Sequence, residues 1–150
     1  MNTVVSRCIR GLGIATVALA CQAQTQMTAP VAAGVYFANL KEGAVVTSPF
    51  VVQFGLQGKQ IGPLGDMNPE LGHHHLIING PATPSGEAVP ADATHLHFGK
   101  GQTQTELNLS PGDYTLTLQF GNGAHLSYGS AWSQTIHVHV KAPMASRASY

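Results

Sequence analysis

Gly72-His73-His74-His75-Leu76-Ile77-Ile78-Asn79 runs three consecutive imidazoles into a β-branched apolar stretch, and the fold is read outward from it. Side chains of a strand alternate between faces, so His73, His75 and Ile77 share one side while His74, Leu76 and Ile78 share the other. With Leu76 and Ile78 toward a core, His74 is expected half-buried and His73 and His75 outward. His95-Leu96-His97-Phe98-Gly99-Lys100-Gly101-Gln102-Thr103 repeats the pattern, with His95 and His97 on one side and Leu96 and Phe98 on the other. A fifth imidazole, His125, lies in the loop Asn122–Gly129 beside Tyr128.

The same period of two recurs elsewhere. Phe50, Val52, Phe54 and Leu56 fall on one face, as do Leu116, Leu118 and Phe120, and both sets are assigned to the core. Strands are expected at Val35–Leu40, at 44–49 and 50–56 broken by Pro49, at Thr103–Leu109, Tyr114–Phe120 and Gln134–Val140. Ser110-Pro111-Gly112-Asp113 and Gly121-Asn122-Gly123 supply turns. Gly99-Lys100-Gly101 lacks the Walker pattern and a following helix, so it reads as a glycine-flanked hairpin that fixes Gln102 and Thr103. Gln57–Gly72 and Asn79–Thr94 are long loops rich in Gly and Pro, and loops of that length in a compact domain are often functional. No helical period survives anywhere. The fold expected is all-β, an immunoglobulin-like β-sandwich of about seven antiparallel strands, with a small β-barrel as the alternative.

Residues 1–23 read as a signal peptide. Arg7 and Arg10 precede the uncharged run Gly11–Ala20, which is too short to span a bilayer, and cleavage is expected after Ala20 or Ala23. Residues 24–34 form a flexible lead, 35–140 the sandwich and 141–150 a tail, and the location expected is periplasmic or secreted. Ala18-Leu19-Ala20-Cys21 also permits a minority reading in which Cys21 carries a lipid anchor. Cys8 leaves with the signal, so no disulfide pair remains. Loss of Arg7 and Arg10 leaves five cationic side chains against seven carboxylates, a net charge of −2 with neutral histidines. That balance, with no basic cluster, argues against a nucleic-acid partner.

If the two histidine strands are neighbours, His73 or His75 stands opposite His95 or His97, close enough for two or three imidazoles to meet one ion. Neutral imidazole is the commonest protein ligand of zinc and copper. The candidate metal ligands are therefore His73, His75, His95, His97 and His125, with Met67 as a thioether that would favour Cu(I). The competing reading makes the imidazoles structural, with His74 and His97 donating to loop carbonyls. His137 and His139 alternate with Ile136, Val138 and Val140 and read as a solvated face. No G-x-S-x-G and no interpretable acid pair occurs, and nothing marks Ser127 or Ser130 as a nucleophile.

The stretches Gly43–Phe50, Gly72–Ile78, His95–Thr103 and Leu109–Gly112 closely resemble an exported bacterial family catalogued as domain of unknown function 4399, over about Val35 to Val140. The resemblance implies a signal peptide and a compact β domain and no particular activity. Where the family's usual pattern has an acidic residue after Gln102-Thr103 and an Asp after the HHHL run, this chain has Gln104 and Asn79. A mechanism needing a carboxylate there is put in doubt. The function expected is an exported envelope domain that holds copper or zinc through its histidines. The alternative is a non-catalytic module that meets another envelope component. A metal-dependent enzyme ranks last.

Overall fold

The structure, a computed structural model, describes residues 33–143. The expected signal segment, its cleavage positions and Cys21 lie outside the described residues. Nine strands are present among those described: β1 Gly34–Phe37, β2 Ala44–Thr47, β3 Phe50–Gln57, β4 Gln60–Ile61, β5 Leu71–Ile78, β6 His95–His97, β7 Gln104–Leu107, β8 Gly112–Gly121 and β9 Ser133–Lys141. They form a three-stranded sheet ordered β1-β3-β7 and a six-stranded sheet ordered β2-β9-β8-β5-β4, with β6 also paired to β5. The molecule is a β-sandwich.

The core lies between the sheets, where period-2 spacing places it. Phe50, Val52 and Phe54 of β3 meet Leu76 of β5, Leu116, Leu118 and Phe120 of β8, and Ile136, Val138 and Val140 of β9. Each such side chain contributes about 1.5–3 kcal/mol on full burial, so these positions carry most of the driving force. The chain changes sheet at Ser48-Pro49, a cis peptide bond: β2 belongs to the large sheet and β3 to the small one. The expected break at Pro49 is therefore a crossing between layers.

Three details differ from the sequence reading. Two pairings are parallel, β2 with β9 and β4 with β5, because strands that enter an edge after a crossing or a long loop are free of hairpin geometry. Gly99–Thr103 is not a hairpin turn, since β6 pairs with β5 and β7 pairs with β3 in the other sheet. And β8 is buried on both faces from Leu116 to Gly121 although Thr117 and Gln119 read as an outer, polar side. The loop between β5 and β6 crosses that side. Thr117 Oγ1 donates to the Gly80 carbonyl at 2.9 Å, and Gln119 Oε1 accepts from the Thr83 N–H at 3.0 Å.

Candidate metal centre

Strand register decides which imidazoles meet. His75 of β5 lies directly opposite His97 of β6 on one side and Gln119 of β8 on the other, and His95 lies opposite Ile77. On the same ladder, His137 faces Thr115 and His139 faces Asp113. Parity then puts His73, His75, His95, His97, His137 and His139 on the outer face of the large sheet. His125 comes onto that face from the loop after β8. Only His74, among the chain's eight histidines, points into the sandwich.

His73, His75, His97 and His125 converge. One ring nitrogen from each lies within 4.8 Å of the others. His73 Nε2 is 3.0 Å from His97 Nε2, the rings of His97 and His125 stack at 4.3 Å between centroids, and His73 and His75 lie 4.8 Å apart. Two nitrogens bound to one tetrahedral ion at about 2.0–2.1 Å stand roughly 3.3 Å apart, so the His73–His97 spacing fits a shared ion. His73 and His75 are fully buried; His97 and His125 are partly exposed and mark the side open to solvent.

The remaining valences of these rings are not taken up by protein. His73 Nδ1 and both nitrogens of His75 are buried with no hydrogen-bond partner. A buried polar nitrogen left unpaired costs about 1–3 kcal/mol, and native structures rarely tolerate several together. Burial, reinforced by the neighbouring imidazoles His97, His125 and His74, holds His73 down to about 4. Burial, with His73, His97, His125 and His74 acting in the same sense, holds His75 down to about 3. His97 is lowered by burial and by His125. The lone pairs of His73 and His75 are thus free of protons at neutral pH, which is the state a metal requires.

Glycines make room for the rings. A Cβ at Gly121, which faces His73 in register, would stand 3.0 Å from His75 Cε1, and one at Gly99 would collide with the His97 ring. His125 is held in the left-handed region at φ 64, a conformation that costs a non-glycine residue energy and persists where its surroundings enforce it. Asn122 does so. Its Oδ1 accepts from the N–H groups of Ala124 and Leu126 at 2.9 and 3.0 Å, its carbonyl accepts from the His125 N–H, and the His125 carbonyl in turn accepts from Val89. Gly123 lets the backbone of Asp66 approach closely, and the Gly65 N–H donates to its carbonyl at 2.9 Å.

The other candidates are placed elsewhere. His95 is not part of the convergence: its Nδ1 is 2.9 Å from Asp92 Oδ1, and the same carboxylate oxygen accepts from the His95 and Thr94 N–H groups. Met67 is 59% exposed on the loop before β5. His74, expected half-buried, is wholly buried between Phe54 and Phe120, with centroids 5.2 and 5.3 Å away. Neither of its nitrogens has a hydrogen-bond partner, and burial holds it down to about 4 against a smaller opposing pull from the backbones of Gly55 and Gln102. Ser127 Oγ donates to the Thr83 carbonyl and accepts from the Gly129 N–H, both at 2.8 Å, so its hydroxyl is committed to structure. Asn79 follows β5, with its Oδ1 accepting from Thr115 N–H, and Gln104 opens β7 in the other sheet. Gln104 is thus on a different sheet from the four imidazoles, and Asn79 stands one place past the end of the strand that carries His73 and His75.

Period-2 reading overlooked Gln119 and Asn122. Gln119 is fully buried, and its Nε2 donates to the carbonyls of Gly129 and Trp132 while Oε1 holds Thr83. Only the Asn122-Gly123 turn signal was available to find the second. Searches of curated proteins and of solved structures gave no significant match. Over residues 52–141 the chain matches the family described as Domain of unknown function (DUF4399), to which it belongs.

Proposed function

We propose that this chain is an exported domain that holds one transition-metal ion, zinc or copper, between His73, His75, His97 and His125, and serves metal handling in the envelope. The observation that carries the reading is the convergence of four imidazole nitrogens within 4.8 Å, three of them on strands, with buried nitrogens that no protein group satisfies. Rings placed on strands are held more rigidly than rings on loops, as a metal site requires. Four protein donors leave no open position for water, and closed sites of this kind belong to storage, transfer or structure rather than hydrolysis. The exported location rests on Arg7, Arg10 and the apolar run after them.

The competing reading, in which the imidazoles organise loops, has a specific weakness. The roof over the outer face is fastened by Thr117, Gln119, Asn122 and Ser127, and the buried cluster nitrogens fasten nothing. The test is elemental analysis of the untagged protein, followed by titration with zinc and copper under chelator competition. One tight equivalent is expected. His75→Ala or His97→Ala should weaken it beyond the roughly 10–100-fold that loss of a mere supporting partner costs. Unchanged affinity in both variants would end this reading.

A further inference from the structure

The outer face of the large sheet carries a second pair of imidazoles, His137 and His139 on β9. From the row of His75 they lie four to six residues along the ladder, at least roughly 13 Å, and two strands across, roughly 10 Å. The roof stops short of them. They line a concavity of about 350 Å³ together with Gly43, Asp113 and Thr115.

Each ring meets a carboxylate at Nδ1, His137 that of Glu42 just before β2 and His139 that of Asp113 on β8, on the other flank of β9. His137 Nδ1 is 2.9 Å from Glu42 Oε1, and the other oxygen of that carboxylate accepts from the His137 N–H at 2.9 Å, so Glu42 is gripped at both ends. His139 Nδ1 is 2.6 Å from Asp113 Oδ1. A carboxylate on Nδ1 fixes the neutral ring as the Nδ1–H tautomer and leaves the lone pair on Nε2, which is how metal-binding imidazoles are supported. Residues two apart on a strand project side by side, about 6.5–7 Å between Cα atoms, a span that two imidazoles close over one ion. Ordinary surface ion pairs would account for one such contact. They do not call for two consecutive outward residues of one strand to be histidines, each held through the same nitrogen by a carboxylate from a different segment.

We propose that His137 and His139 form a second, open cation site that takes a divalent, imidazole-seeking metal such as Cu(II), Ni(II) or Zn(II), with water completing the coordination. Glu42 and Asp113 are its positioning residues. With two protein donors against four, it binds more weakly than the interior cluster and exchanges with solvent.

The experiment is a titration of the untagged protein with Cu(II) and with Zn(II), read by chelator competition and by NMR of the histidine rings. Wild type is expected to take a second, weaker equivalent that perturbs the His137 and His139 rings. His137→Gln/His139→Gln should lose that equivalent alone, and Glu42→Gln/Asp113→Asn should weaken it about 10–100-fold. A wild type without the second equivalent, its survival in the His137→Gln/His139→Gln variant, or its indifference to the carboxylate changes would overturn the proposal. Because these side chains are exposed, folding is not at risk. If the interior cluster binds nothing while this pair still binds, the second site stands and the first reading falls.

Discussion

Along β5 and from Leu116 to Gly121 of β8 the two faces of the six-stranded sheet are both buried, and they are buried by different chemistry. On the inner face, Leu76, Leu116, Leu118, Phe120, Ile136, Val138 and Val140 pack against the second sheet, with His74 the one imidazole among them. On the outer face, His73, His75, Thr117 and Gln119 are covered by loops rather than by a sheet. The inner face gains stability from apolar area. The outer face holds buried polar groups that contribute no apolar packing, and the proposed metal centre rests on that departure.

The largest effect expected from this contrast is acid sensitivity of the metal-free protein. His73 and His74 are held down to about 4 and His75 to about 3, against an ordinary 6.5. Below pH 6.5 the unfolded chain takes up protons that the folded one refuses, so stability falls as pH drops from 6.5 toward 4. Each such proton steepens the slope by up to about 1.4 kcal/mol per pH unit. Urea midpoints measured across this window should fall steeply in wild type and less so in His74→Leu; a flat profile would mean that the imidazoles are hydrated. Next in size is Phe120→Ala, which removes the ring between His74 and Tyr128 and should cost about 3–5 kcal/mol in urea unfolding.

Gln119→Leu attacks the outer face without replacing an imidazole. It strands the Thr83 N–H and the carbonyls of Gly129 and Trp132, so a loss of about 1–3 kcal/mol is expected, with faster amide exchange at Thr83. Stability equal to wild type would show that the roof is held otherwise. The smallest effect belongs to His95→Ala, about 0.5 kcal/mol or less, with metal affinity unchanged, because its ring serves only the Asp92 turn. A drop in affinity there would enlarge the site beyond four rings.

Much of the inner face was legible in the sequence. Alternation in 50–56 and 114–120 is a local signal, and Phe50, Val52, Phe54, Leu116, Leu118 and Phe120 are core residues as that signal requires. The β-sandwich followed from the same strands. Partnership between strands was not legible, since period-2 spacing says which residues share a face and nothing about what lies opposite. His95 and His97 are equivalent by that rule and are separated only by register, which sets His97 beside His75 and His95 beside Ile77. The roof was equally hidden: Thr117 and Gln119 look like solvent-facing polar residues until the β5–β6 loop is laid over them. His125 was visible as a loop histidine, but its arrival over the sheet depends on the Asn122 turn and on contacts with Val89 made across the fold.

X-ray absorption of the protein loaded with one equivalent of zinc tests the central claim most directly. Four imidazole nitrogens at about 2.0–2.1 Å are predicted, with no sulfur scatterer from Met67. A protein that retains no stoichiometric zinc or copper, or a spectrum with two imidazoles or fewer, would contradict the four-histidine centre.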